Sequence, residues 1–164
     1  MTRFDRAMHL AAVCAALLAR VEWPGKPGAT APLPALSAEE QQRFAAGQTI
    51  YASICLPCHQ EDGRGKELVA PSLVGSGFVV GAPAIPARIL INGKEGPTGL
   101  MPPLGQTFTD EQIASVLTYV RRQWGNTGAP IDPQVVKDTR AAVAGRTRPW
   151  TNTELTALAG QGRQ

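Results

Sequence analysis

The string Cys55-Leu56-Pro57-Cys58-His59 constrains this chain more than any other feature. Two thiols with two residues between them stand close to one helical turn apart, and an imidazole follows directly. Each thiol can add to a vinyl group of a haem, and the imidazole then lies beneath the iron, which is the c-type attachment pattern. Competing uses of the same residues fail on the supply of ligands. A structural zinc site takes four protein ligands, and the only other Cys and His in the chain are Cys14 and His9, near its start. A redox-active dithiol is expected inside a βαβ pattern, and none surrounds residue 55. A disulfide between Cys55 and Cys58 would leave His59 unexplained and would strain across so short a loop.

Composition agrees with a chain that borrows part of its interior. The 164 residues suit one domain with tails, yet aromatics make up only 5%. A domain of this size buries proportionally little surface, so a bulky apolar cofactor would help to fill it. No glycine period, long heptad run or 18-residue apolar run occurs, which excludes collagen, coiled coil and a multi-span membrane protein. The formal charge of +3 comes from the ends. Residues 38–125 carry seven Lys/Arg against eight Asp/Glu, while residues 1–37 carry four against two and residues 126–164 five against three. No basic face interleaved with aromatics appears, so nucleic acid is not an expected partner.

Residues 1–31 read as a signal peptide. Arg3 and Arg6 give a positive start, Leu10 to Ala19 form the apolar run, and Ala29-Thr30-Ala31 offers a small-x-small cleavage site. Val13 before Cys14 does not suit a lipoprotein signal. Residues 32–37 close a Pro-rich linker. Ser37 and Glu40 then form a capping box that opens a helix reaching to about Ser53. Ile85 to Ile91 reads as a short helix. Thr109 and Gln112 form a second capping box, before a helix whose apolar face is Ile113, Val116, Leu117, Val120 and Trp124. Arg121 and Arg122 complement the dipole of its last turn. Beyond it, Ile131-Asp132-Pro133 begins a further helix, and Thr151 with Glu154 caps another.

From Ser37 to Gly125 the motifs occur in an order that resembles the class I c-type cytochromes. Gly47 followed by Tyr51, the CxxCH string, Gly63-Arg64-Gly65, Ala70-Pro71-Ser72-Leu73, Gly99-Leu100-Met101-Pro102-Pro103 and a closing helix with Tyr119 carry the likeness. The resemblance implies an all-α fold: a few helices wrapped around one haem c, attached through Cys55 and Cys58, with a helical C-terminal extension. It divides the chain into a cytochrome c domain at 38–125 and that extension at 126–164. It also implies that Gly47 lets the first and last helices cross closely. The Pro71 carbonyl would accept the Nδ1 hydrogen of His59, fixing the ring and raising its basicity as a ligand. His59 and Met101 would be the axial ligands of the iron. For Arg88 two roles stay open, a haem propionate partner or a solvated side chain.

Iron held by histidine and methionine has no vacant position, and a sulfur ligand favours the reduced state. The function so implied is a mono-haem carrier of single electrons rather than an enzyme. Its partners would be redox proteins: a dehydrogenase as donor, and a cytochrome or oxidase of a respiratory chain as acceptor. More loosely, the Met-Pro loop, closing helix and Pro149-Trp150 tail are similar to cytochrome domains accompanying periplasmic, quinoprotein-type dehydrogenases. Two other classes compete. In one, Met101 is labile and the haem acts on peroxide; in the other, the haem reports redox state to a partner. Covalent haem attachment in bacteria is linked to export, so the periplasm is the expected compartment. Membrane association would come only through a partner or an uncleaved leader. Ferric protein is expected to show the weak far-red absorption band of methionine ligation, and a spectrum without it would count against Met101.

Overall fold

The computed structural model describes residues 33–96 and 99–161, so the expected signal peptide at 1–31 lies outside the described residues. Helix α1 spans Ala38–Ile50, and both halves of its capping box form. The Ser37 amide donates to Glu40 Oε2 at 2.7 Å, and the Glu40 amide donates to Ser37 Oγ at 3.2 Å. The backbone does not stop at Ser53 as expected. It widens into a π-helical turn at Tyr51–Cys55 and runs on as a single α-turn, α2, at Leu56–His59. The attachment motif is therefore carried on the end of the first helix, through a widened turn of the kind often found at functional sites.

After a loop come two short helices, α3 at Gly77–Val80 and α4 at Ala84–Asn92, which fills the place read from Ile85 to Ile91. Two three-residue strands follow, β1 at Lys94–Gly96 and β2 at Gly99–Met101. They pair antiparallel, with Lys94 opposite Met101, Glu95 opposite Leu100 and Gly96 opposite Gly99. This ribbon lies outside the all-α reading, as the short helix α3 lies outside the helices read from the sequence. Three-residue strands built around glycines leave no alternating pattern to read.

Helix α5 spans Asp110–Arg122, again with a complete capping box between Thr109 and Gln112. A single apolar stripe understates its position. Every residue from Ile113 to Arg121 is buried, because α1, α3, α4 and a later helix surround it. The expected stripe also ran too far. Helix α5 ends at Arg122, and Trp124 lies beyond it at φ 55°, a left-handed conformation uncommon for a residue with a side chain. The indole is held there by donating to the Glu61 carbonyl at 2.9 Å. Phe44, Tyr51, Tyr119 and Trp124 form a continuous cluster with ring centroids 5.1 to 5.7 Å apart. Nearly half of a thin aromatic supply is thus concentrated where α1 crosses α5.

Gly47 makes that crossing. A Cβ there would stand 2.0 Å from the Ser115 carbonyl oxygen and 2.9 Å from the Tyr119 Cβ. The two helices touch backbone to backbone.

Helices α6 (Pro133–Ala142) and α7 (Asn152–Gln161) complete the chain. Asp132 caps α6 with Pro133 in its first turn, and the Thr151 and Glu154 cap forms in both directions. Ile131, Val136, Trp150 and Leu155 are buried in the same cluster as the apolar residues of α4 and α5. Ile131 and Trp150 therefore serve as cover for the core. Gly47→Ala is expected to cost about 3 kcal/mol by forcing α1 and α5 apart, and thermal unfolding of the haem-loaded protein would measure it.

Candidate haem-binding site

The sequence brings its chemistry to one cleft from two separate stretches. Tyr51 and Cys55 come from the π-turn with His59 on the α-turn that continues it, and Met101 comes from the last position of β2. Between them stand Leu73, Phe78, Val79, Pro86, Ile89, Leu90 and Leu104, with Val116, Leu117 and Val120 of α5 as the back wall. The free space within the cleft is about 80 Å³, and the cleft is partly open to solvent. Its surface is almost wholly apolar.

The expected site residues differ in how they meet this cleft. Cys55 is half-buried on the lining, and burial, together with the neighbouring Cys58, pushes its thiol up to about 11. Cys58 is exposed, and the two thiols are not bonded to each other. His59 is half-buried, and removal from water lowers the pKa of its ring. The Pro71 carbonyl acts on the same ring in the opposite sense. It does not reach full hydrogen-bond geometry, so the buried Nδ1 is left without a partner. Gly65 shapes this corner. It has φ 80°, and a Cβ there would stand 2.2 Å from the Ala70 carbonyl oxygen and 2.7 Å from that of Pro71. Met101 is half-buried on the lining, with Pro102 and Pro103 exposed behind it. Arg88 donates from Nη1 to the Ala84 carbonyl of its own helix and is not on the lining.

These residues fit a haem. A flat apolar macrocycle needs an apolar slot, and the cleft presents apolar walls with Cys55, His59 and Met101 on its lining, while Cys58 stands exposed outside it. Among the described residues no three His, Cys, Asp or Glu side chains converge on a metal position.

Two supporting groups escaped the sequence reading. Tyr51 Oη donates to the Gln60 carbonyl at 2.6 Å, holding the residue after His59 at φ 62°. Arg121 was expected to complement a helix end in solvent, but it is the largest fully buried side chain among the described residues. It donates from Nε to the Ala129 carbonyl at 2.6 Å, and from Nη1 to those of Val79 and Gly81, the latter at 2.9 Å. No pattern in the sequence separates such an arginine from Arg122 beside it, which reaches only the Pro34 carbonyl near the surface.

Comparison with known proteins agrees with this geometry. Residues 42–120 match the family described as cytochrome c oxidase, cbb3-type, subunit III. The chain is 37% identical over 107 residues to the fructose dehydrogenase cytochrome subunit of Gluconobacter japonicus, covering 58% of this chain and 22% of that protein. It is 29% identical over 110 residues to the cytochrome c subunit of the quinone alcohol dehydrogenase of Gluconacetobacter polyoxogenes, covering 60% and 24%. It is 33% identical over 79 residues to cytochrome c-554(548) of Halomonas halodenitrificans, covering 48% of this chain and 94% of that protein. The chain thus spans about a quarter or less of the dehydrogenase subunits it matches and nearly all of the small cytochrome.

The chain belongs to the c-type cytochromes. It is a haem c domain of the electron-transfer kind that occurs in dehydrogenase cytochrome subunits. Tyr51→Phe is expected to cost about 1–2 kcal/mol by leaving the Gln60 carbonyl unpaired, and denaturant unfolding of the haem-loaded protein would measure the loss.

Proposed function

We propose that the chain carries single electrons through one haem c, attached at Cys55 and Cys58, with His59 and Met101 as its axial ligands. The placement of His59 and Met101 on one apolar lining, with Cys55 between the first helix and the cleft, carries this reading. When bound, the haem supplies a reversible one-electron couple. The protein's own groups do the rest. His59, whose ring is removed from water and feels the Pro71 carbonyl, supplies a neutral imidazole nitrogen. Met101 supplies a soft sulfur that favours the reduced state. The apolar walls exclude water, and a packed interior keeps the same donors in place whichever charge the iron carries. Among the described residues the cleft lining holds no arginine and no second histidine to support a peroxide-handling site.

The domain so loaded receives electrons from a periplasmic dehydrogenase and passes them to a cytochrome or oxidase of a respiratory chain. Support for a dehydrogenase as donor comes from the two dehydrogenase cytochrome subunits that resemble it. Whether it works as a subunit or as a diffusible shuttle is decided by affinity purification of the tagged protein. A stoichiometric dehydrogenase in the eluate identifies a subunit, and a clean haem-bearing monomer identifies a shuttle. Among the described residues no helix is long and apolar enough to cross a membrane. The 1–31 segment is proposed as the export signal, and the 38–125 and 126–164 division stands as a proposal with it.

Met101→Ala is expected to lower the reduction potential and to open the iron to carbon monoxide and cyanide. Redox titration and ligand-binding spectra would measure both, and an unchanged potential with unchanged ligand binding would remove Met101 as the sixth ligand.

A further inference from the structure

The tail beyond residue 130 touches both ends of the segment that carries Met101. At the near end, Trp150 pairs parallel with Lys94 and makes the ribbon three-stranded at that point. The Trp150 amide donates to the Gly93 carbonyl at 3.0 Å, and the Glu95 amide donates to the Trp150 carbonyl at 2.8 Å. Lys94 is the residue whose other neighbour in the ribbon is Met101. Gly93 lies directly against the Met101 backbone, where a Cβ would stand 2.6 Å from the Met101 carbonyl oxygen. One residue earlier, Asn92 Nδ2 donates to the Arg146 carbonyl at 3.2 Å.

At the far end the grip comes from α6. Arg140 donates to the carbonyls of Gly105 and Phe108 and pairs with Asp110 Oδ1 at 2.8 Å. One side chain thus spans the stretch between the Met-Pro-Pro loop and the start of α5. Among the described residues, the Leu104 amide bonded to the Leu90 carbonyl and the Gly105 amide bonded to that of Ile91 tie the loop to α4.

The gripping groups are themselves fixed. The Arg146 guanidinium lies 3.5 Å from the centre of the Trp150 ring and pairs with Glu154 at 2.8 Å. The Ile131 amide donates to Thr118 Oγ1 of α5 at 3.0 Å, and Val136 and Leu155 are fully buried. None of Arg140, Arg146 and Trp150 falls in the span matched to the family, which ends at residue 120.

We propose that residues 131–155 are a brace that holds the Met101 segment closed, with Arg140 and Trp150 as its positioning residues. The proposal rests on the reading of Met101 as the sixth ligand. A thioether is a weak donor, so its occupancy of the iron depends on how readily its segment lifts away. Segments lift by local opening, whose free energy is set by the buried contacts and hydrogen bonds that must break. Arg140 and Trp150 supply such bonds at the two hinges of this segment, and neither lines the cleft.

The test uses full-length, haem-loaded ferric protein, with imidazole as the probe that competes for the methionine position. Arg140→Ala removes the side-chain bonds to the Gly105 and Phe108 carbonyls, and Trp150→Ala removes the buried ring that seats the Trp150 backbone against Gly93 and Glu95, so in each the apparent imidazole affinity is expected to rise about tenfold. The far-red band should fade at lower temperature in both. Arg140→Lys, which keeps the charge without the fork, should fall between. Phe44→Leu weakens the α1 and α5 crossing away from the ribbon, and it should leave imidazole affinity near that of the parent. Unchanged imidazole affinity in both brace variants, beside ready binding by Met101→Ala, would overturn the brace. So would a rise in Phe44→Leu equal to theirs, because that would track general stability. No gain in Met101→Ala itself would instead remove the ligand assignment on which the brace rests.

Discussion

The contact on which the rest of the structure depends is the approach of α1 to α5 at Gly47 and Ser115. With backbone against backbone, the two helices lock at a distance that only a missing side chain permits. Everything around the cleft takes its position from that lock. The end of the first helix carries Cys55 and His59, and the face of α5 supplies the back wall. The aromatic cluster closes over the crossing and extends through Trp124 to the loop after the attachment motif. A small domain with few aromatics thereby gains a rigid frame before the cofactor contributes any surface of its own.

Much of this was legible in the sequence because it rests on local chemistry. The capping boxes at Ser37, Thr109 and Thr151 form as read, since each needs only two side chains three residues apart. The attachment string and the methionine before two prolines are local in the same way, and the structure brings Cys55, His59 and Met101 to one lining. Long-range contacts were not legible. Arg121 and Arg122 are adjacent and alike in sequence, but one is enclosed by carbonyls from the end of α3 and from the chain after α5, and the other lies near the surface. Trp124 fits a helical stripe by spacing, but its bond to Glu61 draws it past the helix end. The ribbon depends on a partner strand at Trp150 that no pattern within residues 94–101 announces.

Arg121 shows how an interior of this kind handles charge. A guanidinium stays protonated under all ordinary conditions, and this one is buried without a carboxylate among its hydrogen-bond partners. Carbonyl oxygens turned toward it supply the compensation that a counter-ion would otherwise give. The arrangement fixes the α3 to α4 corner and the chain after α5 onto one point. Val79, whose carbonyl takes part, is also a wall of the cleft. Desolvation of the cation and placement of that wall are one structural event.

The pairing of Trp150 with the ribbon also bears on the order in which the molecule closes. Asn92 and Arg146 are 54 positions apart, and Arg140 and Gly105 are 35 apart. Contacts this distant in the chain are costly to close and tend to form late, whereas the helix that presents the attachment motif forms from neighbours. The crossing at Gly47 and Ser115 joins residues 68 positions apart and belongs to the same late class, so the motif-bearing helix stands before either wall of the cleft is secured. A flat prosthetic group has to enter edgewise before a slot shuts, and walls that wait on distant parts of the chain leave that entrance open while the attachment motif is already in place.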